Sequence, residues 1–362
     1  MSNGGVGEFD AIELQKALAG KVVGVMPTLS ALSEGLSGNA SPQDLETLFQ
    51  LAYLFCTAPR KDTSAFGAFM TRIKASIQNR SVSPEAAFAD TISVTMAQYH
   101  YRARPITVEM LDEVNLDKAF AFYKDRFADL GDFIFFFVGN FQHDTIKPLV
   151  EQYLASLPSI NRKESWRDVG MFPPKGVVNK QIHRGVEPKS TVRLVFTGSF
   201  DWTAQSKYDF SSLLELLNIK LREVIREEKS GTYGIGAFGA PSFYPRREYR
   251  VDVSWGCNPD RVDELVNSVM EQIDSLRIKP PDKVYVDKVK EIQRRNREVN
   301  LKQNGFWMSN FRQFYANGEN PEELLGYNKM VDNLSAEAIQ QAAKKYFNST
   351  NYVKVVLYPE KK

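Results

Sequence analysis

The stretch Leu221-Arg222-Glu223-Val224-Ile225-Arg226-Glu227-Glu228-Lys229-Ser230-Gly231-Thr232-Tyr233-Gly234-Ile235 turns a charged helix end into a strand. Upstream, Phe210, Leu214, Leu217, Leu221 and Val224 recur at helical spacing and form one apolar face. Gly231 fits the left-handed residue that closes a helix. Arg226 then falls in the last two turns and Tyr233 just past the turn. A helix that doubles back onto its next strand can bring both side chains to one cleft. Guanidinium and phenol are donors, suited to peptide carbonyl oxygens or to a developing oxyanion. The plainer alternative is an Arg226 that salt-bridges a neighbour and a Tyr233 packed in the sheet.

Outward from this turn the chain divides in two. Residues 1–160 read as one α+β unit. A helix spans about Asp10 to Ala19, and a strand Lys21 to Met26. Ser41-Pro42-Gln43-Asp44 has the pattern of a helix start, Ser as cap and Pro at the first helical position. Leu45, Leu48, Ala52 and Phe55 follow as a core-facing stripe. Further helices are expected over Thr63–Asn79, from Ser83-Pro84-Glu85, and over Leu116–Asp129. Phe133 to Val138 is a continuous apolar run that predicts a strand buried on both faces, followed by a helix from His143 to Leu157. Residues 161–176, in a proline-bearing stretch without periodicity, read as a linker.

Residues 177–362 form the second α+β unit. It opens with strands near Val177–His183 and Thr191–Thr197. The long helix after Thr203 comes next, then strands at Tyr233–Phe238 and Tyr249–Gly256. Helices over Pro259–Leu276, Pro281–Gln303 and Ser335–Phe347 lead to a last strand, Tyr352–Leu357. The two units look like weak internal repeats, Tyr123 to Phe127 before one apolar run matching Ala343 to Phe347 before another. Helices and strands without regular βαβ alternation favour α+β over a parallel Rossmann sheet.

Composition narrows the functions. The 362 residues carry 46 basic and 44 acidic side chains, a net charge of +2. Such balance argues against nucleic acid or an anionic membrane as the main partner. Two cysteines, Cys56 and Cys257, exclude a disulfide-dense scaffold and a cysteine-rich zinc site. No apolar run approaches the roughly 18 residues that span a bilayer. No secretory leader is visible, and the compartment stays open, with periplasm and cytoplasm both allowed. The three histidines, His100, His143 and His183, match neither H-E-x-x-H nor H-x-x-E-H. There is no G-x-S-x-G and no P-loop. Gly234-Ile-Gly236-Ala-Phe-Gly239 satisfies G-x-G-x-x-G formally, but Pro241 and a strand follow it, not a helix.

The segment R-E-x-x-x-G-x-Y from Arg226 to Tyr233 resembles the arginine–tyrosine motif in the C-terminal half of pitrilysin/insulinase-type zinc metallopeptidases. Phe9 to Gly20, Asp44 to Arg60, Val138 to Phe141 with Leu157-Pro158, and Asn304 to Trp307 are similar too. The resemblance implies two homologous units, each an antiparallel sheet backed by helices. The first would be N-terminally truncated, since the family opens it with two further strands. It also implies a clamshell of two halves closing on unfolded peptide, with zinc bound in the N-terminal half. This chain would then need no cofactor of its own and would be inactive alone. Arg226 would bind substrate backbone, and Tyr233 would bind substrate and serve catalysis by donating to the oxyanion. Its partner would be the N-terminal catalytic half, from the same precursor or as a separate subunit. The alternative in a different class is a non-catalytic binding or assembly subunit homologous to the peptidase. A third reading is a peptide binder that uses an exposed sheet edge.

Overall fold

The computed structural model describes residues 2–232 and 234–360. In chain order the regular elements begin with α1 (Ala11–Ala17), β1 (Val23–Leu29), β2 (Glu34–Ala40), α2 (Leu45–Thr57) and α3 (Thr63–Ser81). Then come α4 (Pro84–Met96), α5 (Leu116–Arg126), α6 (His143–Leu149), β3 (Val177–His183), β4 (Ser190–Ser199) and α7 (Ala204–Leu221). The remainder is β5 (Ile235–Ser242), β6 (Glu248–Cys257), α8 (Val262–Ile278), α9 (Lys283–Asn300), α10 (Asn304–Asn317), α11 (Tyr327–Asn333), α12 (Ala336–Tyr346) and β7 (Tyr352–Tyr358). Residues 1–79 with 106–166 form one compact unit, and 80–105 with 167–362 the other.

The first unit starts from local signals. Asp10 caps α1 by accepting from Ile12 and Glu13 N–H, both at 2.8 Å, while Glu13 accepts the Asp10 N–H at 2.9 Å. This reciprocal pair satisfies the orphan donors of the first turn. Ser41 does not cap as its pattern suggests. Its hydroxyl donates to Asp44 at 2.7 Å, and Asp44 accepts the Val22 N–H at 2.8 Å. A short 3-10 turn over Pro42–Asp44 precedes α2. The sheet pairs β1 with β2, antiparallel. Buried Phe55 and Leu51 of α2 pack with Val6 beneath it, and Cys56 packs with Tyr123 and Phe127 of the α5 end. Tyr123 Oη donates to the Phe55 carbonyl at 2.9 Å.

One expectation fails here, and one strand forms that the sequence did not announce. The apolar run Phe133 to Val138 lies outside the sheet ladders. Phe137 stacks on Phe49 with centroids 5.2 Å apart. Side-chain packing has taken the run without making it a strand, because a strand exists only where a neighbouring edge accepts its hydrogen bonds. The polar, glycine-bearing segment Glu34–Ala40 is a strand because β1 supplies that edge.

The second unit holds a five-stranded sheet in the order β3-β7-β4-β6-β5. The β3–β7 pair is parallel and the other pairs antiparallel, so the sheet is mixed where the resemblance implied antiparallel pairing throughout. One face carries Val192, Leu194 and Phe196 with Val251, Val253 and Trp255, all buried against α7, α8 and α12. At its centre Tyr346 meets Phe210 and Tyr249 edge-on at 5.0 Å and stacks on Phe200 at 5.6 Å. The other face is covered by α4. Phe88 and Ile92 pack against Val195, Val353, Val355 and Leu357. Residues 80–105, read by chain order into residues 1–160, thus join the second unit. The Ser83 cap on α4, accepting Ala86 N–H at 3.2 Å, forms as its sequence pattern implies. Helix capping is local, whereas the choice of sheet to cover is not.

Between α7 and α9 the core is polar. Tyr208 donates to Gln293 at 2.6 Å and Gln293 to Ser212 at 2.9 Å. Nearby, burial raises the Glu215 carboxyl above its ordinary 4.5, with Gln293 pulling the other way. Below 4.5 both folded and unfolded chains are protonated there. Above it the folded chain still holds a proton that the unfolded chain has released, so stability falls as pH rises. Glu215→Gln is therefore expected to raise the melting temperature at neutral pH and to change it little below 4.5. A neutral-pH melting temperature below that of the parent contradicts this reading.

Candidate functional site

Helix α7 delivers Arg226. Thr203 caps the helix by accepting Ser206 N–H at 3.0 Å, and eight of its side chains are buried. From Arg222 to Glu228 the backbone continues as a π-helical turn. Such widened turns are concentrated at functional sites. The register change leaves Ile225 fully buried and Arg226 exposed. Among the described residues Arg226 has no hydrogen-bond or ion-pair partner. The salt-bridged alternative is thus not what is seen. Tyr233 lies outside the described residues.

The turn closes differently from the expectation at Gly231. The left-handed residue is Ser230, φ 47°. Gly231 is required for space: a Cβ there would lie 2.5 Å from Leu265 Cδ2 and 3.1 Å from its Cδ1. Its N–H donates to the Ile225 carbonyl at 3.0 Å. Glycine was the right residue, but close approach to α8 is the reason, not its φ.

Three fastenings that motif spacing does not reveal hold this region. Asn218, near the end of α7, donates to the Ala237 carbonyl and accepts the Ala237 N–H, both at 2.7 Å. Glu223 accepts from Tyr285 at 2.6 Å and Lys288 at 2.9 Å, tying the π turn to α9. The Tyr285 hydrogen bond, then Lys288, holds the Glu223 carboxyl below its ordinary range, and Glu223 pushes the Tyr285 phenol up to about 12. Arg261 reaches back to the carbonyls of Lys229 and Ser230. None of these partners lies within ten residues of the other, so no local pattern announces them.

The Asn218 clamp also bears on the edge-binding reading. β5 is an edge strand. Ala237 turns its N–H and C=O away from β6 and gives both to Asn218. Pro241, on the same outward rhythm, has no N–H. These devices blunt the edge against an added strand.

The histidines stand on separate elements. His100 accepts Arg102 N–H at 3.3 Å, His143 opens α6, and His183 ends β3 beside Tyr358. Among the described residues no group of three or more His, Cys, Asp or Glu could hold a metal ion. Cys56 and Cys257 are buried free thiols, burial pushing Cys56 up to about 12 and Cys257 up to about 11. The described residues do not fit zinc. Among them, too, no helix is long and apolar enough to cross a membrane.

Residues 113–293 match the family described as the peptidase M16 inactive domain. The chain is 24% identical over 277 residues to a probable zinc protease PqqL of Haemophilus influenzae, covering 75% of this chain and 29% of that protein. It is 25% identical over 346 residues to a PQQL-like zinc protease of Arabidopsis thaliana, covering 88% of this chain and 36% of that one. The chain thus spans about a third of the length of these relatives. The solved periplasmic protease PqqL from Escherichia coli superposes with a TM-score of 0.85 at 18% identity, over 99% of this chain and 40% of that one, a likeness of fold.

Proposed function

Given a chain that belongs to the peptidase M16 family through its inactive domain, we propose that it is the zinc-free C-terminal half of a zinc metalloendopeptidase. Its work is to hold unfolded peptide and to stabilise the oxyanion formed during hydrolysis. One observation carries this reading. In the motif Arg226 to Tyr233, Arg226 is exposed on an irregular turn and unpaired among the described residues. An arginine that neighbours do not neutralise is free to donate to a ligand, and its planar fork suits carbonyl oxygens.

The roles divide by chemistry. Arg226 donates to substrate backbone in ground state and transition state alike, which lowers KM more than it raises kcat. Tyr233 donates to the oxygen on which charge develops, which raises kcat. Zinc, in the N-terminal half, supplies the activation of water; that half comes from the same precursor or from a separate subunit. Alone, this chain binds peptide and does not hydrolyse it.

Arg226→Ala in the full-length, zinc-bearing enzyme is expected to raise the peptide KM by roughly 10- to 100-fold, the worth of charge-assisted hydrogen bonds, with kcat falling much less. Steady-state kinetics on a fluorogenic peptide checks this. An unchanged KM removes Arg226 from the binding role.

A further inference from the structure

We propose that Arg261 is the positioning residue of this half. It locks the left-handed turn at Ser230 and so fixes the backbone that leads from Arg226 to Thr232. The inference rests on the reading of Arg226 and Tyr233 above.

The turn is unfavourable when left to itself. A helix end leaves its last carbonyls without partners. Ser230 sits at φ 47°, a region that a side chain with a Cβ disfavours. Lys229 and Ser230 are exposed, so little packing restrains them. Arg261 answers both problems. Its Nη1 and Nη2 each donate to the Lys229 carbonyl at 3.2 Å, and Nη1 reaches the Ser230 carbonyl at 3.4 Å. On its other side Nε and Nη2 donate to the two carboxylate oxygens of Glu264 at 2.9 and 3.0 Å. The guanidinium is therefore held in one plane by a bidentate carboxylate while it caps the turn.

Arg261 is itself well anchored. It ends a short turn, Pro259–Arg261, whose Asn258 side chain accepts the Asp260 N–H at 3.0 Å. Glu264 lies in the first turn of α8, where a helix favours negative charge. Leu265, the next residue, fills the space that Gly231 leaves open. Residues 261–265, at the start of α8, thus receive Lys229, Ser230 and Gly231 through the guanidinium that Glu264 orients and through Leu265. Lysine cannot replace the fork, since a single ammonium cannot serve two carbonyls and a bidentate carboxylate in one plane.

The test uses the full-length, zinc-bearing protein with Arg261→Ala, Arg261→Lys, and Arg261→Ala combined with Ser230→Gly. Both single variants are expected to lower kcat/KM on a fluorogenic peptide roughly tenfold, as a misplaced positioning group does. Amide exchange at Lys229–Thr232 is expected to speed up in both. Ser230→Gly is expected to recover most of the activity lost in Arg261→Ala, because glycine adopts the left-handed turn without its Cβ penalty. A purely electrostatic or global-stability role would show no such rescue. Unchanged exchange and unchanged kcat/KM in both single variants, with Tyr233→Phe still impaired, overturns the proposal and leaves the functional reading standing. If Tyr233→Phe is unimpaired, that reading fails, and the exchange measurement still decides whether Arg261 braces the turn.

Discussion

Replacing Tyr233 by phenylalanine in the full-length enzyme is expected to lower kcat roughly 10²–10³-fold, the loss that follows removal of one oxyanion donor. KM for peptide should change little. Phenylalanine keeps the ring and its apolar area, so the substitution isolates the hydroxyl. A donor aimed at charge that exists only in the transition state contributes nothing to ground-state binding. The contrast with Arg226→Ala is the diagnostic: one variant moves kcat, the other KM. Single-turnover measurement with excess enzyme separates this from slow product release. A Tyr233→Phe enzyme that turns over as fast as its parent ends the catalytic role proposed for this half.

The second large effect concerns the scaffold that presents the motif. Phe210, on the buried face of α7, meets Tyr346 at 5.0 Å and Phe200 at 5.8 Å, both edge-on, and Tyr249 at 6.1 Å. It is 1% exposed. Phe210→Ala is expected to destabilise the second unit by about 3–5 kcal/mol, through lost transfer free energy and the cavity left among rings that cannot collapse inward. The edge-on geometry adds about 0.5–1.5 kcal/mol per aromatic pair beyond buried area. Urea unfolding followed by tryptophan fluorescence reports it, since Trp202 and Trp255 border this core. A loss below about 1 kcal/mol, ordinary for a surface change, contradicts the central place given to this cluster. Because α7 runs directly into the π turn, loosening it is also expected to weaken the peptide binding proposed for Arg226.

Of the scaffold around the candidate site, the local signals were legible in the chain itself. Thr203, Ser83 and Ser335 cap the helices their patterns announce, since a cap needs only the next three residues. Val177–His183 and Tyr352–Tyr358 are strands where their composition predicts them. The residue types at Arg226 and Gly231 pointed to a helix end that doubles back. What spacing could not supply was the reason for Gly231, because Leu265 lies 34 positions away. Nor could it show Asn218 clamping Ala237, or Arg261 capping Lys229 and Ser230, because each joins elements that only folding brings together.

The sequence by itself determined the α+β class, the caps at Ser83, Thr203 and Ser335, and the failure of every local zinc motif, and it singled out Arg226 and Tyr233 as candidates. These follow from short-range backbone chemistry and residue type. Tertiary structure alone decided that α4 covers the second sheet, that Phe133 to Val138 stays outside any ladder, that β3 and β7 run parallel, and that Ser230 takes the left-handed turn. Each of those depends on which distant edge or face is available to take up hydrogen bonds or apolar surface, and local propensity carries no record of that.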